Sequence, residues 1–295
     1  MRSAESAASP NAADMFNALA MRISLIDRVA DLLKATAAEH VLPYYRTLAE
    51  DQIIEKSPGE LVTIADREAE GRIARGLADL APNARFVGEE ACAADPSLLD
   101  RIGEGDIWIV DPIDGTANFA AGRPPFAIMA ALLRDGEILA SWIYEPLSGR
   151  MAVAERGAGA WIDGIRIRTA SALPERLRGV VSRFSMPEGA AEAAAAVEAG
   201  IGEALPNLRC AGDQYPRVAT GEQDFALYWR TLVWDHAPGV LLLTEAGGVA
   251  RRPDGAPYRP AEPGTGMLLA HNEAIAQEIE ELLRGGGYRS IEPAT

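Results

Sequence analysis

The segment that most constrains this chain is residues 108–116, Trp-Ile-Val-Asp-Pro-Ile-Asp-Gly-Thr. Ile107 to Val110 is a short apolar run with the character of a buried strand, and Pro112 is expected to stop it. Asp111 then arrives at the strand's C-terminal end, and Gly115 permits a tight turn. Asp114 can fold back toward Asp111. Two carboxylates at such a corner repel unless a cation sits between them. Thr116 adds a hydroxyl, and the backbone N–H groups of Gly115 and Thr116 suit a phosphate. The same letters also fit an ordinary Asp-Pro turn with an Asx cap. The corner alone leaves both readings open.

Four further acids stand at expected element ends. Glu89 and Glu90 follow a short strand, Arg85 to Gly88. Asp66 follows Leu61-Val62-Thr63 and opens a helix running through Ile73, Leu77 and Leu80. Asp235 follows Trp234 at the start of a helix that reaches Ala246 and closes at Gly247-Gly248. Each has a plain structural explanation, either a solvated acidic loop or a helix N-cap. Together they gather where loops meet regular elements, which is where sites collect. His236 adjoins Asp235, but neighbours on a helix diverge by about 100°, so it reads as a packing residue. Gly157-x-Gly159 lacks the third glycine of a dinucleotide motif and reads as a turn.

The remaining pattern suggests a layered α/β protein. Leu19, Ile23, Ile26, Ala30, Leu33 and Ala37 mark an amphipathic helix ending near Pro43. Phe126 to Leu133 and Ile138 to Tyr144 flank Arg134-Asp135-Gly136-Glu137, a hairpin signal. Met151 to Ala154 and Ala160 to Ile162 read as further strands. Later come a helix from Glu188 to Ala199, strands at Leu208 to Ala211 and Phe225 to Trp229, and a surface connection from Arg251 to Gly266. The expected organisation is a loose tail at 1–14, an α+β half at 15–155 carrying the acidic motifs, and an α/β half at 156–295.

Composition narrows the partners. A net charge of −15 argues against a nucleic-acid surface. No apolar run approaches the roughly 18–20 residues of a membrane span. The first residues lack the h-region of a signal peptide, so the cytoplasm is the expected compartment. Cys92 and Cys210 cannot build a zinc site alone, and three histidines make a His-based metal centre improbable.

With these residues in view, the sequence resembles the inositol monophosphatase family of Mg²⁺-dependent, lithium-sensitive phosphatases. The blocks that carry the likeness are Gly88-Glu89-Glu90, Trp108 to Phe119, and Trp234-Asp235-His236-Ala237-Pro238-Gly239 running on to Gly248. A weaker block is Leu61-Val62-Thr63 with Asp66. The resemblance implies a sandwich of alternating helix and sheet layers, often dimeric. It implies two or three Mg²⁺ ions held by Glu89, Asp111, the Ile113 carbonyl, Asp114 and Asp235. Thr116 paired with Asp66 would orient and deprotonate the attacking water, with Glu89 beside them. Gly115, Thr116, Asp114, Asp235 and Tyr228 would meet the substrate, a small phosphate monoester. The haloacid dehalogenase pattern, Asp-x-Asp-Gly-Thr, places its second acid one residue nearer, so covalent aspartyl catalysis is disfavoured.

Two departures bear on the pocket. Ala117 replaces a frequent Thr. Tyr228 stands seven residues before Asp235, where members acting on inositol phosphates usually carry a Glu that meets sugar hydroxyls. These changes favour a flatter leaving group, such as histidinol, over inositol. Other sugar or nucleotide phosphates stay as alternatives, as does a regulatory binding protein that keeps the fold without turnover.

Overall fold

The computed structural model describes residues 25–289. The expected tail at 1–14, with Leu19 and Ile23, lies outside these residues. The rest of the first amphipathic pattern forms α1 (25–36), which passes through a π turn at Ala37–Val41 and a 3₁₀ turn at Leu42–Tyr44. Pro43 sits in that closing turn. A hairpin of β1 (Ile53–Ser57) and β2 (Glu60–Thr63) leads into α2 (Ile64–Leu80). This helix starts before Asp66 because Thr63 caps it. The Thr63 hydroxyl accepts the Ala65 N–H, and Asp66 reaches back to accept the Thr63 N–H at 2.7 Å.

Next come β3 (Arg85–Gly88), α3 (Glu89–Ala94), β4 (Asp106–Asp114), α4 (Thr116–Ala120), β5 (Ala127–Arg134) and β6 (Glu137–Glu145). Three more strands follow, β7 (Arg150–Glu155), β8 (Gly159–Ile162) and β9 (Ile165–Ile167). Strands β3 to β9 form one sheet in chain order, with only β3 and β4 parallel. The sheet thus takes in two strands beyond residue 155. The β5–β6 hairpin turns at Asp135 and Gly136, both at positive φ (49° and 80°), as a two-residue loop of primed type requires.

The second half contains β10 (Arg178–Val181), α5 (Ala191–Gly200), β11 (Glu203–Ala204), α6 (Ala211–Thr220), β12 (Phe225–Tyr228) and α7 (Val233–Glu245). It ends with β13 (Val249–Arg251), β14 (Met267–Ala270) and α8 (Glu273–Gly285). Its five strands run β11-β10-β12-β14-β13.

Three apolar cores fix the layers. One packs α1 and α2 on the sheet face bearing Trp108, Val110 and Ile128. A second fills the space between the opposite face (Ile107, Ile109, Met129), α6 and α7, and the second sheet at Ala226 and Leu269. The third packs α5 and α8 against Phe225, Leu227 and Leu268. The order is helix, sheet, helix, sheet, helix, so the expected layered sandwich is present.

Several sequence expectations need correction. Pro112 does not stop its strand, because β4 continues to Asp114. Pairing with β3 ends at Val110 opposite Gly88, so the missing proline N–H leaves no gap in that ladder. Leu208 to Ala211 is not a strand; Ala211 opens α6. The spacing of Ala211, Tyr215, Val218 and Ala219 is helical and faces the core, but Gly212 and Pro216 mask it. Helix α5 begins at Ala191 rather than Glu188, and α7 begins two residues before Asp235. Glu89 and Glu90 open a helix instead of forming a loop. Within the 251–266 connection, Arg251 belongs to β13 and Arg252 is buried.

Candidate active site

The three-residue spacing of Asp111 and Asp114 would place them on opposite faces of a regular strand. A bulge prevents this. Asp111 opposes Met129 and Asp114 opposes Ala127, so three steps on β4 match two on β5. Ile113 thereby rejoins the α1/α2 face, and both carboxylates turn toward α7. Gly115 follows at φ 86°, a left-handed conformation that a side chain would strain, and starts α4.

Helix α7 contributes Asp235 from its first turn, where the helix dipole favours negative charge. Asp111, Asp114 and Asp235 each bring an oxygen within 4.8 Å of the others. All three carboxyls are pushed up from the usual aspartate range, first by burial. For Asp111 the next causes are Glu89, Asp114 and Asp235; for Asp235 they are Asp114 and Glu89. Asp114 rises to about 6, tempered by the Gly212 N–H, which donates to its Oδ2 at 2.6 Å. Among the described residues, no lysine or arginine forms an ion pair with this trio. Asp235 is half-buried and feels Arg230 at a distance; carboxylates crowded together without an ion-pair partner suit a cation, and an all-oxygen donor set suits a hard one.

Glu89 and Glu90 open α3 nearby and share one cation. Lys56, from the β1–β2 hairpin, reaches Glu89 at 2.9 Å and Glu90 at 2.8 Å. Glu89 lines the same cleft but is not one of the three close-set carboxylates. Helix α3 has glycine as its N-cap, so its first N–H groups need another acceptor. Glu70 of α2 supplies one, accepting from Glu90 N at 2.8 Å and Ala91 N at 2.9 Å. Its approach requires Gly88, since a Cβ there would lie 2.3 Å from Glu70 Oε2.

Asp66 is fully buried, and desolvation raises its carboxyl to about 7 despite hydrogen bonds from the Thr63 hydroxyl and N–H. Thr116 Oγ1 lies 3.2 Å from Asp66 Oδ1 and 2.8 Å from the Ile113 carbonyl. The expected Thr116–Asp66 pair is therefore in contact, and Ile113 O shares the same hydroxyl.

These residues floor an open cleft of about 830 Å³. It is also lined by Gly115, Thr116, Tyr228, Phe184, Arg209 and Arg230. Tyr228 shares its strand face with Ala226, opposite Phe225 and Leu227, as alternation predicts. Its hydroxyl is buried without a hydrogen-bond partner, and its ring stands edge-on to His236 with centroids 5.4 Å apart. His236 is a packing residue as expected, and a specific one. Nε2 faces the Arg230 carbonyl at 3.1 Å, so it carries the proton, and Nδ1 accepts the Tyr215 hydroxyl at 2.8 Å.

Sequence reasoning missed Lys56, Glu70, Gly212, Phe184, Arg209 and Arg230. One signal was available: a glycine directly before an acidic pair that opens a helix leaves an N-terminus to be capped from elsewhere.

Comparison with known proteins shows the family. The model of the inositol monophosphatase family matches residues 23–284. The inositol-1-monophosphatase of Rhizobium meliloti is 32% identical over 237 residues, covering 79% of this chain and 86% of that protein. The Nus factor SuhB of Xylella fastidiosa is 28% identical, covering 88% and 94%. The crystal structure of extragenic suppressor protein suhB from Bartonella henselae superposes with a TM-score of 0.68 at 27% identity, covering 86% of this chain and 99% of that one. The described residues include no helix long and apolar enough to cross a membrane. The chain belongs to the inositol monophosphatase family and is a phosphoric monoester hydrolase.

Proposed function

We propose that this chain hydrolyses a small phosphate monoester in a Mg²⁺-dependent reaction, with Glu89, Asp111, Asp114, Asp235 and the Ile113 carbonyl holding two or three ions. The observation that carries this reading is the trio of mutually repelling carboxylates at the bulge and the start of α7, two of them buried and Asp235 half-buried. When bound, such ions neutralise the phosphate and lower the pKa of water.

The chain's own groups have separate tasks. Gly115 and Thr116 line the cleft, and phosphate oxygens would accept from their N–H groups. Thr116 has one proton and two acceptors, Asp66 and the Ile113 carbonyl. Engaging the Ile113 carbonyl elsewhere directs that proton to Asp66 and leaves the Thr116 oxygen free to accept from water. Asp66, raised to about 7, titrates where a general base is useful. Tyr228 stands where the resemblance puts a polyol-binding carboxylate, and a phenol with a buried hydroxyl cannot accept two sugar hydroxyls as a carboxylate does. A flat or aromatic leaving group suits Tyr228 better than inositol. The complete carboxylate set supports turnover over a purely regulatory role, and we expect a homodimer inhibited by millimolar Li⁺.

The test is phosphate release with and without Mg²⁺ over a panel containing inositol 1-phosphate, histidinol phosphate and fructose 1,6-bisphosphate. Release that survives EDTA would overturn the proposal. A tenfold or greater lead for inositol 1-phosphate would overturn the role given to Tyr228.

A further inference from the structure

The chain carries a net charge of −15, and its cleft is rich in carboxylates, yet two arginines line the same cleft. Arg209 and Arg230 come from different loops, one before α6 and one after β12, and both stack on Phe184. Their guanidinium carbons lie 4.3 Å and 5.1 Å from that ring's centre. An aromatic ring shared by two cations offsets part of their repulsion.

The loops carrying these groups are tied together by one buried residue, Ser182. Its hydroxyl accepts the Phe184 N–H at 3.2 Å and the Asn207 amide at 3.0 Å, and its carbonyl accepts the Trp229 indole at 2.8 Å. Asn207 in turn accepts the Arg209 N–H at 2.9 Å. Arg209 is held at φ 54°, a left-handed backbone unusual for a residue with a side chain. Arg230 is fixed from behind, its carbonyl accepting from His236. Side chains supported in this way are aimed, not merely present.

Both guanidinium forks have donors left over. Arg230 uses Nη1 on Glu60, at the tip of the β1–β2 hairpin. Arg209 reaches only the Gly59 carbonyl, at 3.4 Å, and forms no ion pair with a described residue. Each fork carries five N–H donors, so a planar anion can be taken up without dismantling these contacts.

Resting on the phosphatase reading above, we infer that the leaving group of the preferred substrate carries a second anionic group, a carboxylate or a phosphate, bound by Arg209 and Arg230 beside Phe184. The scissile phosphate lies at the carboxylate floor, and the second anion faces the arginine wall. A neutral polyol leaves this wall unused. The two arginines are specificity residues and take no part in bond cleavage.

The deciding measurement is kcat/KM in Mg²⁺ for two matched pairs. One pair is glycerol 3-phosphate against 3-phosphoglycerate; the other is fructose 6-phosphate against fructose 1,6-bisphosphate. The wild type should favour the additional anion by about tenfold or more in at least one pair, and the pair concerned tells carboxylate from phosphate. Arg209→Gln and Arg230→Gln should each remove about tenfold on the anionic member, mainly through KM, as expected for a lost charge-assisted contact. The neutral member should change by less than about threefold. Arg209→Lys keeps charge without the fork and should recover part of the loss, which separates recognition from damage to the loop. Equal rates within both pairs, or equal losses on both members, would overturn the inference while leaving the phosphatase reading intact. Failure to hydrolyse any of the four esters would strike the phosphatase reading itself and this inference with it.

Discussion

Strand β4 (Asp106–Asp114) carries an acid at its start and another five residues on, and the two behave in opposite ways. Asp106, at its start, is paired by Arg134 of the neighbouring strand at 2.6 Å and 2.9 Å, and its carboxyl is held below the usual range by that hydrogen bond. Asp111, five residues on, is buried among other carboxylates, and its carboxyl is driven up by burial and by Glu89. The first acid receives its counter-charge from the fold. The second is denied one. The Ile113 N–H donates to Asp111 Oδ1 at 2.9 Å but brings no charge, and a buried acid without a counter-charge destabilises the folded chain, so its retention points to a cation supplied from outside. Predictions that separate the two acids test that contrast directly.

The largest effect should follow from Asp111→Asn. It removes the charge at the centre of the trio and keeps the side chain's shape. Hydrolysis should fall by about a thousandfold or more, consistent with loss of electrostatic catalysis at the reacting centre. The metal-free variant should melt at or above the wild-type temperature, because the amide carries no desolvation penalty for charge. Added Mg²⁺ should raise the wild-type melting temperature and leave the variant nearly unmoved. A folded variant with near-normal turnover would remove Asp111 from the site.

The pH dependence of stability provides a second test. A carboxyl whose folded pKa exceeds its unfolded value near 3.9 stabilises the fold below that value, and the benefit is lost as pH rises through the folded pKa. For Asp114 that window runs from about 4 to about 6, and Asp111 and Asp235 shift in the same direction. In EDTA the wild type should lose stability between pH 4 and neutrality more steeply than Asp111→Asn. Saturating Mg²⁺ should shrink that difference. Parallel melting curves for the two proteins in EDTA would show that the trio is not strained by its own charge.

Glu70→Gln addresses a residue that supports the site without lining the cleft. Glutamine keeps one acceptor oxygen for the start of α3 but cannot serve both N–H groups equally well. Activity should drop about tenfold, expressed as a higher Mg²⁺ requirement, which is the usual size of effect for groups that orient ligands. An unchanged Mg²⁺ titration would make Glu70 a purely structural cap.

The sequence disclosed what is local and concealed what is assembled across long range. Asp111 and Asp114 sit three residues apart, and the proline and glycine around them advertise a bend. The bulge that turns both to one face was hidden, because Pro112 reads as a stop unless the short reach of β3 is known. Asp66 and Asp235 were visible as acids in helix first turns, though each helix starts earlier than expected. Glu70, Lys56 and Gly212 look like ordinary surface or turn residues, and acquire meaning only through partners 20, 33 and 98 residues away. Helix α6 was read as a strand because Gly212 and Pro216 interrupt its pattern. The arginine wall has no motif at all, since three separate loops meet there.

The smallest predicted effect belongs to the start of β4. Asp106→Asn breaks the paired contact with Arg134 at a site where both side chains remain substantially exposed. Exposed pairs contribute about 0–1 kcal/mol even with good geometry, so the loss at pH 7 should be near the middle of that range, about 0.5 kcal/mol. For a chain of this size that is about 1–2 °C in melting temperature. The sign is opposite to that of Asp111. Because the folded carboxyl is depressed, its contribution is present above the unfolded pKa near 3.9 and vanishes as pH falls through the folded value. Wild type and Asp106→Asn should therefore differ slightly at pH 7 and converge near pH 3. Catalysis and the Mg²⁺ requirement should be unchanged, since the substitution lies at the far end of the strand from the cleft. If Asp106→Asn lowered kcat/KM by more than about threefold, the strand would have to transmit changes along its length. The separation between an acid that serves the fold and one that serves the site would then be wrong.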